Sequence, residues 1–170
     1  MSYYGQQPLS YTTPDFPSLY WPFDVDPGTP QYLYSLTDIW RFTLFWTFLT
    51  IGSAHLVVSL WAVLMQFSTA YQRHHYLYHT PEGAALSAKN KKLLGEKPIQ
   101  ECVSWVWLIP VIYMFVGGIE ALLGGSLVGL VLGAVYNAGY FRMSTWTPFI
   151  WGTVNMLVLI LGGFRIQGGL

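Results

Sequence analysis

The stretch from Val103 to Val135, VSWVWLIPVIYMFVGGIEALLGGSLVGLVLGAV, decides the fold of this chain. Its 33 residues include a single acidic or basic side chain, that of Glu120. About 20 consecutive apolar residues are enough to cross the hydrocarbon core of a bilayer, so the run predicts a transmembrane helix. At about 1.5 Å per residue the run would reach about 50 Å, whereas the core is only about 30 Å thick.

The surplus length leaves three arrangements open. We expect one crossing, from about Ile109 to Val135, preceded by an interfacial segment that holds Trp105 and Trp107. A single tilted helix with a kink at Pro110 would also fit the run. The third arrangement is a hairpin of two half-spans broken at Gly117-Gly118, although each half would be too short to cross.

Small residues recur at every fourth position in the second half of the run, which places them on one face of a helix. This glycine ridge consists of Gly117, Ala121, Gly125, Gly129 and Gly133. Such a ridge lets the backbone of another helix approach closely. The ridge therefore predicts helix packing, either within the chain or in a homo- or hetero-oligomer.

The composition indicates that the solvent around this protein is partly lipid. Of its 170 residues, 53% are hydrophobic and only 9% are charged, whereas soluble proteins carry about 25% charged residues. This composition predicts an all-α membrane protein and excludes a soluble nucleic-acid-binding module. The sequence has no nucleophile motif, phosphate-binding loop or metalloprotease motif. We therefore expect no enzymatic activity and no cofactor.

Two further apolar runs bring the number of predicted transmembrane helices to three. Ser35 and Thr147 are the predicted N-caps of the first and third, and Pro148 suits a first helical turn. Within the loop after the first span, Ala84–Leu94 favours a short helix that ends at Gly95 and Pro98.

The N-terminal tail holds six of the ten prolines, so we expect it to be extended or disordered. The predicted division is a Pro/Tyr-rich tail (1–34), a first transmembrane helix (35–67), a basic loop (68–102), a second helix with an interfacial start (103–136), a short loop (137–147), a third transmembrane helix (148–166) and a C-terminal tail (167–170).

The basic residues predict the orientation in the membrane. Five of the eight Lys and Arg residues lie in the 68–102 loop. Because cytoplasmic loops carry an excess of Lys and Arg, we expect this loop in the cytosol. The N-terminal tail and the short 137–147 loop would then be lumenal, and the C-terminus would be cytosolic.

Three polar side chains lie near the middle of the predicted spans: His55, Glu120 and Asn155. Polar groups at this depth are costly unless they face protein or water, so we expect them to point into the bundle. A protonated Glu120 bonded to His55 or Asn155 would pin the helices together. Alternatively, the three form a polar seam along which a lipid headgroup or ion passes. Glu120 facing a partner protein is the third interpretation.

A basic patch is predicted on the cytosolic side. Its members are Arg73, His74, His75, Lys89, Lys91, Lys92 and Lys97. Such a patch suits anionic lipid or an acidic partner, and a plain topology signal would look the same. His75 and His79 are spaced i,i+4 and could hold zinc on a helix, but no nearby carboxylate or thiol completes a site. We therefore expect no metal there.

Four short motifs occur together in this chain. They are Ser53-Ala54-His55-Leu56 in the first span, Arg73-His74-His75 after it, residues 133–139 (GAVYNAG) at the end of the second, and Phe164-Arg165-Ile166 at the end of the third. In this order, over roughly residues 38–166, the chain resembles the transmembrane protein 170 family. It departs from the family pattern in its tail, in the lysine-rich segment Ala84–Lys97 and in Glu120.

The resemblance implies a small three-span protein of the endoplasmic reticulum and nuclear envelope that is linked to membrane shape. It also implies lipid scrambling in association with large bridge-like lipid transporters, an activity proposed for the family. We therefore expect a non-enzymatic protein that shapes membrane or handles lipid. The alternative is a small accessory subunit that stabilises a larger membrane complex.

Overall fold

The computed structural model of the protein describes residues 11–21, 31–95 and 97–167. Among these residues, three helical stretches are long and apolar enough to cross a membrane: Leu36–His79, Pro98–Ala138, which a turn at Trp107 divides into two helices, and Trp146–Gly163. This confirms the predicted all-α membrane fold with three spans. The elements in chain order are β1 (Tyr32–Leu33), α1 (Leu36–His79), α2 (Pro81–Ala84), α3 (Ala88–Leu94), α4 (Pro98–Val106), α5 (Leu108–Ala138), β2 (Met143–Ser144) and α6 (Trp146–Gln167).

Helix α1 begins where the sequence predicts and ends later. Ser35 Oγ accepts a hydrogen bond from the Asp38 backbone N–H at 3.0 Å, which confirms Ser35 as the N-cap. The helix continues beyond the predicted end at Phe67, so residues 68–79 are helical and not part of a loop. No Gly or Pro occurs between Gly52 and Pro81 to stop it. The stop comes at Thr80, because a residue that precedes proline is pushed out of the helical region.

The second apolar run is divided between two helices. Its first residues complete α4, Trp107 lies at the junction, and α5 then continues without a break through Gly117 and Gly118. The hairpin arrangement is therefore wrong, and the predicted single crossing agrees with the bounds of α5. Pro110 lies in the first turn of α5, where its missing N–H removes no helical hydrogen bond.

The short helix predicted before α4 forms in part. Residues 84–94 contain the end of α2 and the whole of α3, with a break between them. Gly95 ends α3 with a φ of +87°, a left-handed conformation that favours glycine. Pro98 does not end this helix but begins α4, a position that proline also favours.

The chain forms two compact units. One contains Met1–Ala54 with Gly117–Leu170, and the other is His55–Val116. In the first unit, β1 and β2 pair antiparallel, with Leu33 opposite Met143. These two side chains are fully buried together with Ile39 and Phe42 of α1, and Leu132 and Tyr136 pack against them. This strand pair was not predicted, since two-residue strands leave no alternating pattern to find.

Residues 11–21 lack helix and strand, as predicted for the tail, but they make specific contacts with α1. The Phe16 ring lies 5.8 Å from Phe42 and 5.1 Å from Trp46, measured between ring centroids. Trp146 Nε1 of α6 donates to the Tyr20 carbonyl at 2.9 Å. The rest of the predicted tail up to Pro30, and residues 168–170, lie outside the described residues.

Helix α6 begins one residue before the predicted cap. The Trp146 N–H donates to Ser144 Oγ at 3.3 Å, and Thr147 already lies in the first helical turn. Thr147 as the N-cap was therefore wrong. The reason is that β2 ends at Ser144 and the Thr145 N–H donates to the Gln31 carbonyl at 3.1 Å, which fixes the start of the helix next to the strand pair.

Candidate functional site

A ladder of threonines lies on the face of α1 within the first unit. Thr43 Oγ1 donates to the Ile39 carbonyl at 2.8 Å, and Thr47 Oγ1 donates to the Thr43 carbonyl at 2.7 Å. Thr50 Oγ1 donates to the carbonyl of Gly152 on α6 at 2.9 Å. Thr43 and Thr47 are fully buried. A hydroxyl bonded to a backbone carbonyl can lie inside a span without an unsatisfied polar group.

Asn155 joins this ladder. Its Nδ2 donates to Thr47 Oγ1 at 3.3 Å, so the side chain links α6 to α1. From the sequence we expected Asn155 to bond to another of the three polar residues, Glu120 above all, and its contact with Thr47 was not predicted. The 4,3 spacing of Thr43, Thr47 and Thr50, which repeats on one helical face, is the signal that could have found it.

The other two predicted polar residues have surroundings of their own. His55 belongs to the second unit, where its ring centroid is 6.3 Å from that of Tyr113. Glu120 belongs to the first unit, where its side chain is half-buried and interacts with another group of the protein. A cluster of His55, Glu120 and Asn155 stays a prediction, whereas the Asn155–Thr47 hydrogen bond is observed.

The glycine ridge faces α1 within the first unit. All five of its residues are buried. A Cβ added to Gly125 would lie 3.0 Å from Thr47 Cβ, and one added to Gly129 would lie 3.1 Å from the Trp40 carbonyl oxygen. By contrast, Gly118 and Gly124, which are off the ridge, have nothing within 4 Å. Packing within one chain accounts for the ridge, and this contact is too close to admit a headgroup; an oligomer contact stays a prediction.

The predicted basic patch occupies the second unit. Arg73, His74 and His75 lie near the end of α1, Lys89, Lys91 and Lys92 lie on α3, and Lys97 precedes α4. The side chain of Lys92 is outside the described part of the structure. The ring of His75 lies 5.1 Å from that of His79. Among the described residues, no three His, Cys, Asp or Glu side chains could hold a metal ion.

A groove lies between the end of α1 and α4 in the second unit. Its volume is about 340 Å³. The α1 wall consists of Gln66, Thr69, Ala70 and Arg73, and the facing wall of Pro98, Glu101, Cys102, Trp105, Val106 and Ile109. A second cavity of about 400 Å³ adjoins it and shares Glu101 and Trp105. We refer to the first cavity as the α1–α4 groove.

The floor of the groove is apolar and its rim is polar. Ala70 and Val106 are 6% and 4% exposed, so they hold the two helices together. The rim carries Arg73 on one side and Glu101 on the other, both exposed. A Cβ at Gly95 would lie 2.8 Å from Glu101 Oε2, so the absence of a side chain at this position leaves room for the carboxylate.

Sequence reasoning placed Arg73 and Trp105 in separate features and missed the groove. Its two walls are separated by about 30 residues, and the short helices that bring α4 back to α1 cannot be derived from periodicity. The signal that was available is the composition of α4, whose apolar residues share one face while Glu101 and Trp105 lie four residues apart on another.

These features define the class of protein. Three long apolar helices, most of whose side chains are unburied, with internal polar groups bonded to backbone carbonyls, are typical of a multi-pass integral membrane protein.

Comparison with known proteins shows what the chain is similar to. Residues 99–170, from the second residue of α4 onward, match the family described as Transmembrane protein 170A/B-like, which agrees with the predicted resemblance over that part of the chain. Of the four motifs that carried the resemblance, the last two lie inside the match and the first two precede it. The chain is also similar to Uncharacterized protein YPR153W of Saccharomyces cerevisiae, with 29% identity over 161 residues, 95% of this chain and 91% of that protein. No solved structure matches.

Proposed function

We propose that this chain is a non-enzymatic integral membrane protein of the endoplasmic reticulum and nuclear envelope that handles lipid at its cytosolic interface, with membrane shaping as a consequence of the same contact. Membrane lipids are its ligands in this proposal, and a larger membrane protein such as a bridge-like lipid transporter is its partner. Similarity to the transmembrane protein 170 family supports the part of the proposal that makes this chain an integral membrane protein.

The observation that carries the proposal is the segment between the first two spans. Its lysines, on α3 and at Lys97 just before α4, lie close in sequence to two tryptophans, Trp105 and Trp107, each 72% exposed. Lysine and tryptophan on short amphipathic helices favour the headgroup layer, where the ring enters the interface and the ammonium group pairs with anionic lipid.

The packed interior of the first unit also favours a surface site. Its threonine ladder is hydrogen-bonded and its glycine ridge contacts α1 closely, so an internal polar seam has no open space there. A lipid that this protein handles would therefore contact the interfacial segment. The excess of basic residues in the same segment supports a cytosolic location for it.

Reconstitution of the full chain into vesicles tests the proposal. We expect the protein to speed the exposure of a fluorescent phospholipid to an impermeant quencher, or to narrow the vesicle diameter seen by electron microscopy. Replacement of Lys89, Lys91 and Lys97 by Gln should weaken either effect severalfold in vesicles that contain anionic lipid. Trp61→Leu, a change at a 67% exposed position outside the segment, should leave it unchanged.

An inert full-length protein would overturn lipid handling. If it were also unstable without a larger membrane protein that copurifies with it, the accessory-subunit interpretation would replace it. Mass spectrometry of the protein purified in mild detergent would identify that partner.

A further inference from the structure

We infer that the α1–α4 groove binds the zwitterionic headgroup of a phosphatidylcholine-type lipid, with the phosphate at Arg73 and the quaternary ammonium between Glu101 and Trp105. The inference rests on the proposed function, because it names the lipid class and the site at which the protein handles it.

The groove lies at the depth of the headgroup layer. Its α1 wall begins at Gln66, where the apolar run that ends at Met65 gives way to polar residues, and it ends at Arg73, the first Asp, Glu, Lys or Arg residue after Arg41. Arg73 is seven residues further on, so the wall is about 10 Å long at about 1.5 Å per residue. The headgroup region of each leaflet is about 5–8 Å thick. The groove therefore extends from the hydrocarbon boundary through the headgroup layer.

The charges on the rim match a zwitterion. Arg73 and Glu101 line the same cavity but form no salt bridge with each other. The guanidinium group of Arg73 offers paired donors to a phosphate, which is the geometry that arginine favours. Glu101 supplies a negative charge to a cationic group and repels a headgroup that carries only negative charge.

Trp105 makes quaternary ammonium the preferred cation. It lies one helical turn after Glu101 on α4, and the two side chains form the wall that the groove shares with its neighbouring cavity. The ring is 72% exposed, so its face is open to a ligand. A methylated ammonium that cannot donate hydrogen bonds is held by an aromatic face and a nearby carboxylate.

The size and the apolar floor fit a headgroup and not a whole lipid. Ligand pockets usually enclose about 300–1,000 Å³, and this groove lies at the lower end with about 340 Å³. Ile109 lies at the end of the groove nearest the middle of α5, and beyond it the exposed residues of α5 are apolar as far as Val135. The acyl chains would then extend along the outside of α5 in the bilayer.

Native mass spectrometry of the full chain in detergent tests this site. Equimolar phosphatidylcholine and phosphatidylglycerol with the same acyl chains are added, and the lipid retained on the protein is counted. We expect one phosphatidylcholine to be retained in the groove even when the lysines outside it hold phosphatidylglycerol. Trp105→Leu should lower its retention about two- to fivefold, since a cation–π contact at an exposed ring of about 0.5–1 kcal/mol corresponds to that range. Glu101→Gln should also lower it, because the variant lacks the negative charge that pairs with the ammonium group.

The matched controls are Glu82→Gln and Trp61→Leu, which remove an exposed carboxylate and an exposed indole outside both cavities. They should retain phosphatidylcholine as the unaltered chain does. No retention of phosphatidylcholine by the unaltered chain, or losses as large in the controls as in the groove variants, would overturn the inference.

Measuring the unaltered chain and the groove variants in both assays, lipid retention in detergent and lipid redistribution in vesicles, separates this inference from the proposed function. If the unaltered protein redistributes lipid in vesicles while Glu101→Gln and Trp105→Leu retain phosphatidylcholine normally, the groove is wrong and lipid handling stands. If the groove variants lose the lipid but the unaltered protein neither redistributes lipid nor changes vesicle shape, the binding site stands and the proposed function fails.

Discussion

Thr47 joins two helices through a single hydroxyl group. It donates to the Thr43 carbonyl on its own helix and accepts from Asn155 of α6. Interhelical hydrogen bonds in membranes average about 0.6 kcal/mol and reach about 1.7 kcal/mol. A cycle of Thr47→Val, Asn155→Leu and the double variant should therefore give a coupling energy of about 0.5–1.5 kcal/mol.

Unfolding in a denaturing detergent, followed by helical circular dichroism, would measure this coupling energy. Val preserves the shape of Thr, so the cycle removes the hydroxyl with little change in packing. A coupling near zero would mean that the contact at 3.3 Å contributes nothing to stability.

Tyr11 gives the N-terminal segment a dependence on pH. Its hydroxyl donates to Asp38 Oδ2 at 3.1 Å. Burial, together with the negative charge of Asp38, raises the pKa of Tyr11 from 10.0 to about 12. The folded state thus holds the phenol proton more tightly than the unfolded chain does. Its contribution to stability is complete below pH 10 and is lost as the pH rises toward about 12.

Comparison with Tyr11→Phe isolates this effect, since Phe keeps the ring that packs 5.1 Å from the Tyr34 ring. The unaltered chain should be the more stable of the two at pH 8, and the difference in unfolding free energy should disappear by about pH 12. A difference that stays constant across this range would contradict the assigned pKa shift.

The glycine ridge sets the distance between two elements, α1 and α5. Gly129→Leu should lower the unfolding free energy by about 1–3 kcal/mol or more, because the new side chain meets the backbone of Trp40. Gly124→Leu should change it by about 0.5 kcal/mol or less, because nothing lies within 4 Å of that position. Denaturation of both variants by the same method would compare them, and equal losses would contradict the packing role of the ridge.

The elements that the sequence predicted correctly are those governed by local pattern. The apolar runs, the Ser35 cap and the every-fourth-residue ridge each follow from residues close together in the chain. The β1–β2 pair and the α1–α4 groove depend on residues more than 20 positions apart, and no periodicity connects Leu33 to Met143 or Arg73 to Glu101. Only single residues of the groove, Arg73 and Trp105, were accordingly predicted, in separate features, and the groove itself required the structure.

At the scale of the whole molecule, the arrangement of charge predicts how the chain crosses the membrane. Residues 68–102 carry five Lys and Arg residues, and the segment between the second and third spans carries only Arg142. Arg142 is itself engaged, with its guanidinium carbon 4.3 Å from the centre of the Tyr32 ring. The positive-inside rule thus places Ser87 in the cytosol and Tyr140 in the lumen.

Single cysteines test this orientation, since Cys102 is the chain's one natural thiol and can be replaced by Ser. In sealed membrane vesicles with the cytosolic face outward, an impermeant maleimide should label Ser87→Cys directly. It should label Tyr140→Cys, a position that is 72% exposed, only after detergent opens the vesicles. Replacing Lys89, Lys91 and Lys97 by Gln should raise the fraction of chains in the opposite orientation, in which Tyr140→Cys is labelled directly, because those charges set the orientation. Direct labelling of Tyr140→Cys with protection of Ser87→Cys would reverse the topology and would place the α1–α4 groove in the lumenal leaflet.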